Sequence, residues 1–221
     1  MRFILVVNYL YLKFKKGEKM KNKIITTLLL LSYSLIAGEV NITEELKNIV
    51  IKENGKELKI ERIQDTKHRL TSNFSKTSRE CPPFCVQPMT IGKVKTIGEI
   101  ELLKHIEEMQ KEDSNMLLID TRTRDWNSEG TIPSSINLPF TMLKKESKYL
   151  KKILSLLGAK ERDGRWNFQN IPTLILFSNG IWDAQATKAI ESLVALGCPE
   201  DKILYYRGGM QNWNILGLTV K

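Results

Sequence analysis

Leu174-Ile-Leu-Phe-Ser-Asn-Gly-Ile-Trp-Asp-Ala-Gln-Ala-Thr-Lys-Ala-Ile-Glu-Ser-Leu193 decides how the rest of the chain is read. Four apolar residues form a run of strand length, a polar break follows, and apolar residues then recur at helical spacing. A strand that turns tightly into a helix aims backbone N–H groups and a helix N-terminus at whatever lies in front of it, a common place for anion chemistry. Two residues complicate an active-site reading. Ser178, the first residue off the strand, has no evident activating partner in the sequence. Asp183, at the far end of the loop, brings a negative charge and stands where a helix N-cap is expected, so its carboxylate is predicted to accept hydrogen bonds from the first helical N–H groups.

The same alternation extends in both directions from about residue 95. Residues 99–110 carry apolar side chains at 100, 102, 103, 106 and 109, a helical stripe. Residues 115–120 (NMLLID) are a short apolar run. Residues 141–158 predict a helix stopped by Gly158. Residues 171–177 and 202–206 read as buried strands, separated by a helix ending at Gly197. A glycine turn and short helix close the chain. Unbroken apolar strands separated by helices imply an α/β fold with a central parallel sheet covered on both faces. Ligands in such sheets sit beyond the carboxyl ends of the strands, which is where Ser178 falls.

Residues 39–94 have a different character, polar and sparse in large apolar groups. Their exception is Ile49–Ile63, where Asn54-Gly55 separates Ile49 and Ile51 from Leu58 and Ile60. An Asn-Gly dipeptide between alternating apolar residues predicts a β-hairpin with a type I′ turn. Residues 66–80 read as loop, and the three prolines of residues 81–89 (CPPFCVQPM) oppose regular structure. We read this region as an extension draped over the unit at 95–221.

Residues 1–38 read as a leader. From Met20, Lys21 and Lys23 precede an apolar run from Ile24 to Ile36, and Ala37-Gly38 supplies a small-residue exit. That is the pattern of a cleavable signal peptide, here about 20–38, and it implies a periplasmic protein. The run is short for a bilayer span, so membrane contact is expected only through an uncleaved leader. Gly17-Glu18-Lys19 can be encoded by a ribosome-binding sequence directly before a start codon, which makes Met20 the candidate true start. The whole chain carries 34 basic and 25 acidic residues, a net +9, but seven of the basic and one of the acidic residues lie in 1–38, leaving +3 beyond. The positive charge therefore belongs to the leader, no basic stripe interleaved with aromatics is present, and a nucleic-acid partner is not expected. The lysines at 144, 145, 148, 151 and 152 read as a solvated helix face.

Three segments in order resemble the rhodanese family. Residues 117–140 (LLIDTRTRDWNSEGTIPSSINLPF) are similar to its first signature: Asp-x-Arg after a strand, an aromatic, Gly-x-Ile-Pro, then a strand ending in Asn-x-Pro. Residues 173–197 resemble its strand, active loop and helix. Residues 203–218 resemble its closing strand with Gly-Gly and a Trp. The resemblance implies a sulfurtransferase fold in which a loop Cys becomes a persulfide within a cradle of backbone N–H groups. An exported subgroup carries Cys-Asn-Gly-x-x-Cys where this chain has Ser178-Asn179-Gly180-Ile181-Trp182-Asp183, followed by Ala184. Both cysteine positions are changed. A hydroxyl is far less acidic than a thiol and needs an adjacent base. His68 and His105, the only histidines, are not placed by sequence to serve. A serine hydrolase is disfavoured for the same reason, and the loop is not Gly-x-Ser-x-Gly. Asp183 would also repel an anionic sulfur donor. The resemblance thus implies a degenerate loop, and a binding or structural role with a small anion, a sulfur compound or a periplasmic protein as partner.

The alternative is sulfur or thiol-redox chemistry at Cys81 and Cys85. These two are read as a structural staple, as a redox couple, or as thiols brought over the loop near Ser178. Cys198, just past a helix C-terminus, reads as an inert packing residue. Arg122 and Arg124 are candidate anion-binding residues, with Asp120–Arg122 also read as a structural anchor. Trp182 is a candidate wall of a binding site. No metal site or other cofactor is expected, since the Cys and His are too few and wrongly spaced.

Overall fold

A computed structural model describes residues 39–221. The predicted leader lies outside the described residues. Val40–Lys221 form one compact unit. Its centre is a five-stranded parallel sheet in the order β3-β9-β8-β4-β5. These strands are β3 (Lys95–Ile97), β4 (Met116–Asp120), β5 (Ser135–Asn137), β8 (Thr173–Phe177) and β9 (Ile203–Tyr206). Strand period two sends Leu174 and Leu176 to one face and Ile175 and Phe177 to the other, and all four are fully buried. One face is covered by helix α3 (Leu150–Leu156) through Leu150 and Leu154, and by α4 (Gln185–Ala195) through Ala189, Ile190 and Leu193. The other is covered by α1 (Glu99–Glu108) through Leu102, Leu103 and Ile106, and by α5 (Gly209–Ile215) through Met210 and Trp213. The parallel sheet flanked by helices is the architecture that the apolar runs imply.

The register fixes the working edge. Asp120 lies opposite Phe177, and Phe177 opposite Tyr206. The residues that follow these three therefore leave the sheet side by side at its carboxyl end. A short helix α2 (Arg124–Ser128) sits just beyond β4.

The N-terminal hairpin is present. β1 (Asn48–Glu53) pairs antiparallel with β2 (Lys56–Glu61), and both turn residues have positive φ, Asn54 at 51° and Gly55 at 76°, as a type I′ turn requires. Ile49, Ile51 and Ile60 enter the same core as α1. The hairpin is also tied to the chain's end: Glu61 N–H donates to Thr219 Oγ1 (3.0 Å), and Ile63 N–H donates to the Gly217 carbonyl (2.7 Å).

Two departures have local causes. The helix expected over 141–158 is broken: a 3-10 turn spans Phe140–Leu143, and α3 begins only at Leu150. Ser147 intervenes, its Oγ accepting from Tyr149 N–H and its carbonyl from Leu150 N–H, a local arrangement that competes with helix. Lys144, Lys145 and Lys148 thus lie outside a helix. A second hairpin, β6 (Lys160–Arg162) with β7 (Arg165–Asn167), turns at Asp163-Gly164, both again at positive φ.

A closed loop at the carboxyl edge of the sheet

The loop after β8 folds back on its own acid. Ser178 is 2% exposed, Asn179 0% and Asp183 3%. Asp183 Oδ2 accepts from Asn179 N–H (3.0 Å) and from Gln185 Nε2 (3.0 Å), and Oδ1 accepts from Gln185 N–H (3.1 Å). N–H groups from both limbs of the loop thus converge on one carboxylate. Asp183 N–H donates to the Gly180 carbonyl (3.0 Å) and closes the turn. The cap position of α4 is Ala184, one residue later than expected, although the Asp183 carboxylate still serves the first helical N–H. Ser178 Oγ donates to the Asp183 carbonyl (3.2 Å). Neither histidine joins that bond: His68 is exposed in the extension, and His105 is half-buried on α1, its pKa lowered by burial and by Lys95.

The loop rests on the start of α5. Met210 N–H donates to the Ser178 carbonyl (3.0 Å) and Gln211 N–H to the Asn179 carbonyl (2.8 Å). This approach requires Gly209, at φ 55°, because a Cβ there would lie 2.4 Å from Ser178 O and 2.8 Å from Gly180 N.

Asp120 and Arg122 anchor the neighbouring edge. Asp120 accepts Arg122 Nε (2.9 Å) and Nη2 (2.6 Å), Asn127 Nδ2 (2.9 Å) and Thr131 Oγ1 (2.8 Å). Arg122 Nη2 also reaches the Gly130 carbonyl (2.7 Å), and Nη1 reaches Asn179 Oδ1 (3.3 Å). Arg122 is 0% exposed, so its guanidinium holds the loop from beneath and presents no face to solvent. Arg124 is exposed at the start of α2.

Over the loop lies the extension. Trp182 is half-buried, donates from Nε1 to Gln211 Oε1 (3.2 Å), and packs within 6.5 Å of the ring centres of Phe74, Phe84 and Trp126. The Arg79 guanidinium stacks on Trp182 at 3.7 Å. Burial lowers the Arg79 pKa against the opposing pull of the Asp183 charge. Gln87 N–H donates to the Ile181 carbonyl (2.7 Å), and Thr187 Oγ1 donates to Gln87 Oε1 (2.8 Å). Cys81 and Cys85 form a disulfide, with Cα atoms 4.8 Å apart. The segment therefore does fold over the loop, but its sulfurs are bonded to each other. Cys198 is the remaining free cysteine, and burial pushes its thiol up to about 12.

The family profile described as Rhodanese-like domain matches residues 102–216. The chain belongs to the rhodanese family. The match covers more than half of the sequence and includes the whole loop, and the five-stranded sheet is the rhodanese architecture. No curated protein matches this rhodanese chain in sequence. Among solved structures it is similar to human single-domain sulfurtransferase TSTD1, at 19% identity over 55% of this chain and 96% of that one, with a TM-score of 0.39. It is similar to the Saccharomyces cerevisiae single-domain sulfurtransferase RDL2, at 17% identity over 58% and 94%, TM-score 0.40. It is also similar to a protein of unknown function from Rhodopseudomonas palustris, described as a possible tyrosine phosphatase, at 18% identity over 61% and 99%, TM-score 0.41.

The residues that cover the rhodanese loop come from outside the matched region. Phe74, Arg79, Phe84 and Gln87 all precede residue 102 and escaped the sequence reading, because tertiary contacts alone order this stretch. Gln185 and Gln211, which bond the loop's acid and its Trp, carried no distinguishing signal either. Among the described residues, no group of three or more His, Cys, Asp or Glu is arranged to hold a metal ion, and no helix is long and apolar enough to cross a membrane. A cavity of about 840 Å3 lies at the other end of α4, lined by Lys148, Lys151, Arg165, Trp166 and Leu196, and none of its lining residues belongs to the loop.

Proposed function

We propose that this protein is an exported, periplasmic rhodanese that no longer transfers sulfur and serves as a protein-binding module. The observation that carries this reading is the position of the Asp183 carboxylate. It accepts N–H groups from both limbs of the loop, the groups an anionic sulfur would need. In this reading Ser178 and Asp183 stand where the exported subgroup has its two loop cysteines. Ser178 supplies no sulfur, and its hydroxyl is already committed to the Asp183 carbonyl. Export is supported by the Lys21–Gly38 signal pattern and by a disulfide, which persists in oxidising compartments.

A protein partner is favoured over a small anion because the cradle is filled and the loop buried, while apolar side chains stand in solvent beside it. Val86 is 80% exposed, Met89 61% and Ile181 40%, and the bond from Gln87 to Ile181 brings the extension and the loop together. The test is steady-state turnover of the chain from Gly38 onward, with thiosulfate as donor and cyanide as acceptor. Wild type is expected to match the uncatalysed rate. Turnover that survives mutation of Cys81, Cys85 and Cys198 in turn, or that maps to any one of them, contradicts the reading.

A further inference from the structure

We infer that the Cys81–Cys85 disulfide is a substrate for thiol–disulfide exchange with an external dithiol, and that its redox state sets whether residues 79–87 close over the loop. This rests on the covered loop described above, but not on the absence of sulfur transfer.

Four contacts from this strap reach the loop or its helix. Phe84, inside the disulfide ring, meets Trp182 edge-on at 5.5 Å. Arg79, two residues before the ring, stacks on the same indole. Gln87, two residues after it, bonds the Ile181 backbone and the Thr187 side chain. The ring joins these contacts into one unit. The turn from the Glu80 carbonyl to Phe84 N–H (3.0 Å) and the Gln87 Nε2 bond to the Cys85 carbonyl (2.6 Å) are both built on it. The strap is anchored on either side of the ring, by Arg79 Nη2 donating to the Asn73 carbonyl and by Arg207 donating from Nη2 to the Gln87 carbonyl (2.8 Å) and from Nε to the Pro88 carbonyl (3.0 Å). Between these anchors the ring stands open, with Cys81, Pro82 and Pro83 exposed. An exposed disulfide is open to attack, whereas a buried one is not.

The exchange balances as follows. A thiolate of the dithiol attacks the Sγ of Cys81, the more exposed of the two residues. A mixed disulfide forms, the Cys81–Cys85 bond breaks, and Cys85 leaves as a thiolate that takes a proton. The second thiol of the donor then displaces Cys81 from the mixed disulfide. The strap gains two electrons and two protons, and the donor becomes a disulfide. Opening the ring returns chain entropy to the strap and shifts its closed–open balance by roughly tenfold or more for a loop this short. Phe84 and Arg79 then leave Trp182, and the aromatic face of Phe74, Trp126 and Trp182 opens to solvent.

The experiment is hydrogen exchange read by mass on the chain from Gly38 onward, oxidised and after dithiothreitol without denaturant, with alkylation counting the free thiols. Reduction is expected to give two new thiols and to speed exchange about tenfold in residues 79–87 and 178–185, with β4 and β8 unchanged. Phe84→Ala, kept oxidised, is expected to show the same fast loop exchange, with little further change on reduction. Three results overturn the inference: a disulfide that resists the reductant in the folded protein, two thiols with unchanged loop exchange, or faster exchange throughout the sheet. Because sulfur transfer is not read, this inference and the proposed function fail separately.

Discussion

Asp183 provides from within the chain the negative charge that the loop's N–H groups face. Its three accepted hydrogen bonds come from two backbone donors and one side chain, all in a buried setting. Removing the acceptor leaves buried donors unsatisfied, which costs about 1–3 kcal/mol. Asp183→Ala is therefore expected to lower unfolding stability by that amount, and Asp183→Asn, which keeps one acceptor oxygen, by less. Urea unfolding of the two variants checks the order, and equal losses contradict it. Part of this was legible in the sequence, where an acid just before an apolar helix predicts a bond to the first helical N–H. The bond to Asn179 was not legible, because it depends on Gly180 at φ 142° bending the loop back. Arg122 shows a similar limit. The Asp-x-Arg spacing suggested an anchor, but only the structure shows the guanidinium enclosed by Asp120, Gly130 and Asn179.

The first hairpin was readable because its turn dipeptide sits between alternating apolar residues that bury one face. β6–β7 has an equally good turn, Asp163-Gly164, but apart from Trp166 its strand residues are polar and exposed, so no period of two marks it. The stretch at 74–89 has no hydrophobic period and no regular structure beyond the 3-10 turn at Asn73–Ser75, and its order comes from contacts with residues about 100 positions away. Ile51 is 1% exposed and packs in the core that includes α1. Ile51→Ala is expected to cost about 2–5 kcal/mol. A thermal melt showing one cooperative transition at lower temperature supports a hairpin that folds with the domain. A separate early transition with an unchanged main one contradicts it.

Taken together, the two core layers enclose three groups that resist ionisation. Burial pushes Cys198 and Tyr205 each up to about 12 and Tyr206 well above its ordinary value, with Glu99 adding to the last. In the unfolded chain these groups lose protons near their ordinary values while the folded chain keeps them. The stability they contribute is present below about pH 9 and falls as pH rises toward 12, by up to about 1.4 kcal/mol per pH unit for each group. Urea midpoints are expected to decline steadily across that window, and a flat profile contradicts the burial assigned to all three. The three central strands, β4, β8 and β9, were legible because strands buried on both faces need unbroken apolar runs, whereas the edge strands β3 (Lys-Thr-Ile) and β5 (Ser-Ile-Asn) are short and half exposed and carry no such run.

The most direct measurement is intact mass after incubation with thiosulfate for wild type, Ser178→Cys and Ser178→Cys/Asp183→Ala. If the loop is closed by its own carboxylate, wild type gains no sulfur, the single variant gains little, and the double variant loads about 10–100-fold more readily than the single one, as expected when a competing buried anion worth roughly 1.4–2.7 kcal/mol is removed. Equal loading of the two variants, or sulfur gained by wild type, contradicts the account.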